Sequence, residues 1–383
     1  MPWLHLHVDT QGLVKACCST SVTFGDLSKN SIQEIWQGQA MGNFRQQVLT
    51  SGVDRRCTAC LHREVAGKSS MRTETLSKYP VLAQKIQDEQ LIDGSIRPIY
   101  LDIRFSNICN LKCRTCWHGA SSSWYEEAKQ LKNTAGEQAI IRATTDNAAL
   151  IAEVMDQADE IEEVYFAGGE PLMMEEHYRL LERLLDQRQQ PLIRYNTNLS
   201  VLQLKSQEVI PLWQKFDKVQ LSVSIDALGQ QAEYIRKGLK WNQLLDNLLR
   251  VQNECPHVQV EIAPTVSVFN VMELGAIHRY FFDKQLIPLG GIYLNLLERP
   301  LAYNITHLKD KDNAQTKLEA HIEWIAQLGG GVELRAEFQS IIDYMHSRAA
   351  NPKYQMQFDQ MTRRLDLMRK EDYRDIFEKK SDG

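Results

Sequence analysis

The sequence predicts an α/β protein: a partial (β/α)6 parallel barrel preceded by a cysteine-rich module and followed by a helical tail. Three observations carry this. From residue 97 onward, six short β-branched or apolar runs alternate with amphipathic helical windows, the pattern of parallel βαβ units. The first 72 residues are instead rich in turn residues and cysteine, and beyond about residue 310 strand signals give way to helical periodicity. At 383 residues the chain has room for one large core plus smaller units, since single cores stop growing near ~250–300 residues.

Residues 1–72 are expected to form the module, with turns at TQG (10–12), FGD (24–26) and TSG (50–52). Between its two cysteine pairs, SIQEIWQGQAMGNFRQQVL (31–49) reads as helix, with Ser31 at the capping position and Glu34 three residues on. So few apolar residues cannot build a core of their own, which makes a metal the natural staple. Residues 73–97 read as a helical linker. The barrel is expected over 98–300, its strands being IYLDIRF (99–105), EVYFA (163–167), LIRYN (192–196), KVQLSVSI (218–225), VQVEIA (258–263) and GIYLNLL (291–297). Windows such as 174–188 and 241–253 supply crossover helices, and 301–383 is expected to be helical with a frayed end at EKKSDG. In such a barrel the chemistry gathers where strands end. Here the ends read SNICN, GGEP, NTN, Asp226, PTVS and LNLLE.

Composition excludes several functions. Lysine plus arginine number 44 against 49 acidic residues, a net charge of −5, so no field draws the chain to nucleic acid or to an anionic membrane. No apolar run reaches the ~18 residues that span a bilayer, and the N-terminus lacks a secretory signal. The expectation is a cytoplasmic protein with neither nucleic-acid nor membrane partners. There thiols stay reduced, so the eight cysteines read as ligands rather than disulfides.

Cys109, Cys113 and Cys116 fall within eight residues, a coincidence of roughly 4 in 10,000 by chance. Structural zinc takes four protein ligands, and His118 is the available fourth. An iron–sulfur cubane held by three thiolates instead leaves one iron open to a cofactor or substrate. The segment Cys109-Asn-Leu-Lys-Cys113-Arg-Thr-Cys116 resembles the C-x-x-x-C-x-x-C hallmark of the radical S-adenosylmethionine (radical SAM) superfamily. The resemblance implies a [4Fe–4S] cluster on these thiolates and S-adenosyl-L-methionine chelating the fourth iron. Reductive cleavage then yields methionine and a 5′-deoxyadenosyl radical that takes a hydrogen atom from substrate. Thr115 stands where the family often has an aromatic residue, and Trp117 follows the third cysteine.

The resemblance continues at Gly168-Gly169-Glu170-Pro171, similar to the family's GGEP motif that receives the methionine amino group. Leu221–Asp226 resembles the fourth-strand segment in which Ser222 or Ser224 faces the cofactor; Asp226 equally suits a helix N-cap. Arg236 resembles an arginine that binds the cofactor carboxylate, against the plainer reading of a surface arginine. Asn198 and Thr265 are nominated by strand-end position alone. Cys255, between a helix and the fifth strand, reads as structural.

Gly12 to Cys17, the SIQEIW helix with MGNFR after it, and Cys57-Thr-Ala-Cys60 resemble the SPASM and twitch auxiliary-cluster modules. That implies an auxiliary iron–sulfur cluster on Cys17, Cys57 and Cys60, with Cys18 as fourth; a structural zinc is the alternative. His5, His7 and His62 are runner-up ligands, against the commoner role of hydrogen-bonded histidines. The upstream cysteine of that pattern is missing, the chain beginning at Met1. The resemblance implies a reductant such as flavodoxin or ferredoxin, and modification of a peptide or protein side chain. Alternatives are dehydrogenation or epimerisation of a sugar or aminoglycoside, and a noncatalytic, metal-stabilised binding protein.

Overall fold

The computed structural model describes residues 2–20, 22–54, 56–65, 70–157 and 161–378. It divides into two units, one comprising Met1–Ile108, Ile140–Arg194 and Leu204–Lys218, the other Cys109–Ala139, Tyr195–Gln203 and Val219–Gly383.

The first unit opens with a small antiparallel meander, β1 (His5–Val8), β2 (Leu13–Lys15) and β3 (Thr23–Asp26). Gly12 turns the chain between β1 and β2 at φ +80°; a Cβ there would stand 2.1 Å from the Ala143 carbonyl oxygen, so only glycine is accommodated. The other edge of β1 pairs in parallel with β4 (Tyr100–Ile103), and β4 in turn with β5 (Glu163–Phe166). Next to β5 lies β6 (Leu192–Thr197), which runs on into the second unit. The sheet's order here is therefore β6, β5, β4, β1, β2, β3. Alternation sorts the side chains. Leu101, Ile103, Val164, Phe166 and Ile193 are buried, Phe166 against His177 of the helix Glu175–Asp186. The alternate positions are polar: Tyr100, Asp102, Glu163, Tyr165 and Arg194, with Asp102 opposite Tyr165 and Arg194 bonded to Glu163 at 2.9 Å.

In the second unit, the end of β6 is followed by β7 (Val219–Val223) and β8 (Gln259–Ile262), again parallel and joined through helices Gly229–Ile235 and Trp241–Glu254. The predicted α/β class holds: mostly parallel strands with helical crossovers, and a helical C-terminal region of Lys311–Gln327, Val332–His346, Pro352–Arg369 and Tyr373–Phe377. Its inner packing includes a buried His278–His321 hydrogen bond of 2.9 Å.

Three local expectations are corrected. The run 291–297 is no long strand: Ile292 forms an isolated parallel bridge with Ile262 and Asn295–Leu296 pairs in parallel with Thr265–Val266, the partner being interrupted at Pro264, which has no amide to donate. The helix expected over 31–49 breaks at Gln37–Gly38 into Ile32–Trp36 and Gln39–Ser51; its capping box of Ser31 and Glu34 forms as predicted. The turn expected at FGD (24–26) is instead strand β3, and β1 of the same module pairs directly with the first barrel strand. Of the tail, residues 379–383 lie outside the described residues.

Arg45 ties the two helices of the module to the linker. Fully buried, its guanidinium donates to the carbonyls of Pro2 (3.0 Å), Trp36 (2.8 Å) and Ile92 (3.3 Å) and lies 4.7 Å from the Trp36 ring. Replacing it with an apolar chain of similar length strands three acceptors. Arg45→Met is expected to lower unfolding free energy by about 3 kcal/mol, read as a shift in the urea midpoint with the slope unchanged.

Candidate active site at the three-cysteine loop

Backbone bonds, not the thiols, fix the shape of the cysteine loop. Lys112–Cys113 forms a short antiparallel pair with Arg236–Lys237, Cys113 opposite Arg236. The Arg114 amide donates to the Ile235 carbonyl at 2.7 Å. Three side chains then hold loop carbonyls: Ser123 Oγ that of Cys109 (2.7 Å), Ser121 Oγ that of Leu111 (2.6 Å) and Trp124 Nε1 that of Cys113 (3.0 Å).

Polar N–H groups approach the sulfurs: Asn198 Nδ2 lies 3.8 Å from Cys109 Sγ and Arg236 Nη1 3.8 Å from Cys113 Sγ. Burial pushes Cys116 up to about 12 and raises Cys113, the nearby Arg236 charge countering only in part. Thiols in such surroundings ionise readily only against a nearby cation, and the irons of a cluster are such cations.

Arg236 is no surface residue. Its guanidinium meets Asp226 through Nε–Oδ2 at 2.9 Å and Nη2–Oδ1 at 3.0 Å, and both side chains are buried. Burial works against the arginine charge, but the carboxylate more than offsets it and holds the group protonated. Asp226 Oδ1 also accepts the Thr265 amide at 2.7 Å, and its main-chain carbonyl accepts Asn270 Nδ2 at 3.0 Å. Asp226 is thus an ion-pair and loop anchor rather than a helix cap. The structure brings Asp226, Arg236 and Thr265 together beside Cys113, and Asn198 beside Cys109. Ser224 is tied to β6 through its amide (Thr197 carbonyl, 2.8 Å), whereas Ser222 donates to Glu261.

Within the first unit, Gly168–Pro171 wraps the three residues that precede Cys109. Gly169 donates to the Ser106 carbonyl (3.2 Å) and Glu170 to that of Ile108 (2.6 Å). Gly168 adopts φ +117°, and a Cβ on Gly169 would lie 2.1 Å from the Ile108 oxygen. Both glycines are therefore steric requirements. The Glu170 carboxylate, 1% exposed, accepts the Leu172 amide at 3.2 Å.

Sequence reasoning missed a clamp on the loop. Arg114 is bound to Asp366 (2.5 Å) and Glu371 (2.8 Å) and stacks 3.7 Å over Tyr234, whose hydroxyl reaches Asp366 at 2.8 Å. Lys112 pairs with Glu127 at 2.6 Å, and Arg369 meets the same carboxylate at 2.7 Å. Both neighbours of Cys113 are thus tied to the C-terminal helix region, across more than 200 residues of sequence.

In the module, Cys17, Cys57 and Cys60 line one largely apolar cavity of about 290 Å³, together with Trp3, Phe44, Val48 and Ile86 among others. Burial, and then the neighbouring thiols, push Cys17 up to about 12. Cys18 is one of the thiols acting on Cys17, and its own thiol is pushed up by burial and then by Asp102, the Arg104 charge countering in part. His5 and His7 group with Asp102 rather than with the thiols, and the side chain of His62 lies outside the described residues. Cys255 is buried at the end of the helix Trp241–Glu254, in keeping with a structural role.

With this geometry in view, the comparisons are decisive at the level of family. Residues 103–264 match the family model of the radical SAM superfamily, and residues 1–61 match that of SPASM, an iron–sulfur cluster-binding domain. Residues 103–264 are thus a radical SAM domain. The SPASM domain precedes it. No curated protein matches the chain. Among solved structures, it is similar to anSMEcpe with bound AdoMet at 16% identity, over 61% of this chain and 62% of that one, with TM-score 0.44. It is also similar to Streptococcus suis SuiB bound to precursor peptide SuiA, at 14% identity over 69% and 54% with TM-score 0.45. SuiB bound to S-adenosylmethionine gives 15% identity over 75% and 63%, with TM-score 0.44. The chain spans less than two thirds of these relatives.

The superfamily's cofactors are a [4Fe–4S] cluster and S-adenosylmethionine, and the donors present suit them: three cysteines on a backbone-fixed loop, Cys113 buried and Cys109 and Cys116 half-buried. Two substitutions test the site's construction. Arg236→Ala leaves Asp226 buried and unpaired and is expected to cost about 3–5 kcal/mol, with Arg236→Lys recovering part of it, measured by denaturant unfolding. Gly169→Ala displaces the Ile108 carbonyl next to Cys109 and is expected to weaken S-adenosylmethionine binding at least about tenfold in equilibrium dialysis, roughly 1.4 kcal/mol.

Proposed function

We propose that this radical SAM protein abstracts a hydrogen atom from a peptide or protein side chain, with the SPASM thiols holding an auxiliary iron–sulfur cluster. The observation that carries the reading is the loop of Cys109, Cys113 and Cys116, a three-thiol site fixed by its backbone. When bound and reduced, the cluster with S-adenosylmethionine supplies a 5′-deoxyadenosyl radical. The chain's part is to hold and shield. Cys109, Cys113 and Cys116 would hold the cluster, and Asn198 and Arg236 direct N–H groups at the Cys109 and Cys113 sulfurs, where they would stabilise thiolate charge. In the first unit the Gly168–Pro171 turn, with its close backbone approach, is proposed to receive the amino-acid end of the cofactor; in the second, Ser224 and Thr265 are proposed as polar cofactor contacts. Asp226, by holding Arg236 at Cys113, is a positioning residue.

Electrons are proposed to arrive from a flavodoxin or ferredoxin. Cys17, Cys57 and Cys60, with Cys18 the proposed fourth ligand, hold the auxiliary cluster. The peptide class rests on the SPASM resemblance, since members with such modules modify ribosomal peptides or enzyme side chains; a sugar substrate is the competing outcome.

Anaerobic, reconstituted protein is expected to carry approximately eight irons, falling to approximately four when Cys109, Cys113 and Cys116 are replaced by alanine. The same triple variant is expected to form no 5′-deoxyadenosine from S-adenosylmethionine under dithionite. Undiminished formation would falsify the assignment, and zinc in place of the remaining four irons would overturn the auxiliary cluster alone.

A further inference from the structure

Among the described residues, one set of ligand-type atoms lies wholly within 4.8 Å of one another: those of His5, His7 and Asp102. The sheet puts them there. His5 and His7 are alternate residues of β1 and share a face, and the parallel register with β4 sets His7 beside Asp102. All three are buried, at 0%, 2% and 1% exposure.

A buried histidine–aspartate contact is an ordinary structural device, and it accounts for His7, whose Nδ1 lies 2.8 Å from Asp102 Oδ2. It does not account for His5. Both ring nitrogens of His5 are buried without a hydrogen-bond partner. The ring stacks on Tyr100 at 4.2 Å, which fixes its plane but satisfies neither nitrogen, and the Ala16 carbonyl acts on it without hydrogen-bond geometry. An imidazole enclosed with two idle nitrogens is costly unless a lone pair is used.

We propose that His5, His7 and Asp102 bind one divalent transition-metal cation of the zinc class, with a fourth position open to water or an anionic group. This goes beyond the proposed reaction and does not depend on it. Two imidazole nitrogens and one carboxylate oxygen are a donor set for zinc, whereas magnesium and calcium take oxygen throughout. Bonds of about 2.0–2.2 Å at tetrahedral angles separate ligands by about 3.3–3.5 Å, so the present spread, within 4.8 Å, closes through side-chain rotation while the 2.8 Å His7–Asp102 separation opens slightly. Arg104 Nε, 3.2 Å from Asp102 Oδ1, orients the carboxylate from outside and offsets its charge. The pull on a cation then rests on the imidazoles, which favours a nitrogen-seeking metal. A cation here cross-links the module's first strand to the first barrel strand.

The test uses the full chain with both cysteine sites already filled by iron and sulfide. Zinc is added, excess is removed, and bound zinc is counted by mass spectrometry while its ligand shell is read by X-ray absorption at the zinc edge. One zinc per chain with nitrogen and oxygen neighbours at about 2.0–2.1 Å and no sulfur is expected, together with a raised melting temperature. His5→Gln and Asp102→Asn are expected to lose most of that zinc while keeping their iron. The wild-type result stands alone if a variant fails to fold: no zinc beyond the clusters, or a shell containing sulfur, overturns the site. So does a folded variant that retains a full equivalent.

Discussion

Burying two opposite charges is tolerable only when their geometry is met, and that demand on Asp226 and Arg236 organises the second unit. The 2.9 Å contact holds Arg236 in register with Cys113, so the strand pair presenting the thiol is fixed by an interaction that cannot slip without leaving a bare charge in the interior. The same carboxylate fixes the start of the Thr265–Val266 strand through its amide, and the Asp226 carbonyl engages Asn270. A second ring of ion pairs surrounds this centre. Lys112 and Arg114, one on each side of Cys113, meet Glu127, Asp366 and Glu371, so the C-terminal helices act as a brace for the loop rather than as an appendage.

Charge placement also bears on the cluster's electronics. A three-thiolate loop gathers negative charge, and the chain answers with N–H groups aimed at sulfur and with paired cations close by. Hydrogen bonds to sulfur and burial are among the main means by which a protein adjusts an iron–sulfur potential. In the proposed site both are supplied by residues whose positions are fixed by other contacts, Arg236 by Asp226 and Asn198 by Asn110.

Much of this was legible in sequence. The C-x-x-x-C-x-x-C spacing, the GGEP turn and the alternation of apolar runs with amphipathic windows are local signals, and local signals survive reading one residue at a time. Asp226 and Arg236 could be nominated singly, but their mutual contact could not, because nothing in either neighbourhood encodes the partner. The brace of Arg114 on Asp366 and Glu371 was invisible for the same reason: it joins residues some 250 positions apart, and an arginine beside two distant acids looks like solvated surface. The run 291–297 misled because β-branched composition reports a preference for extended backbone, not the availability of a strand to pair with.

The polar face of β1 and β4 was equally hidden. Nothing in HLHV marks a strand, and only the register shows that its histidines stand beside Asp102 and Tyr100. That parallel pairing has a further consequence. β4 has neighbours on both sides, β5 on one and β1 on the other. Cutting away the first residues would strip one side of β4 and present its unpaired amides and carbonyls, beside apolar Leu101 and Ile103, to any passing strand. The cysteine-rich segment is therefore no interchangeable cartridge: it is the seal on an adhesive margin, and a shortened chain would be expected to fail by clumping before it failed by chemistry.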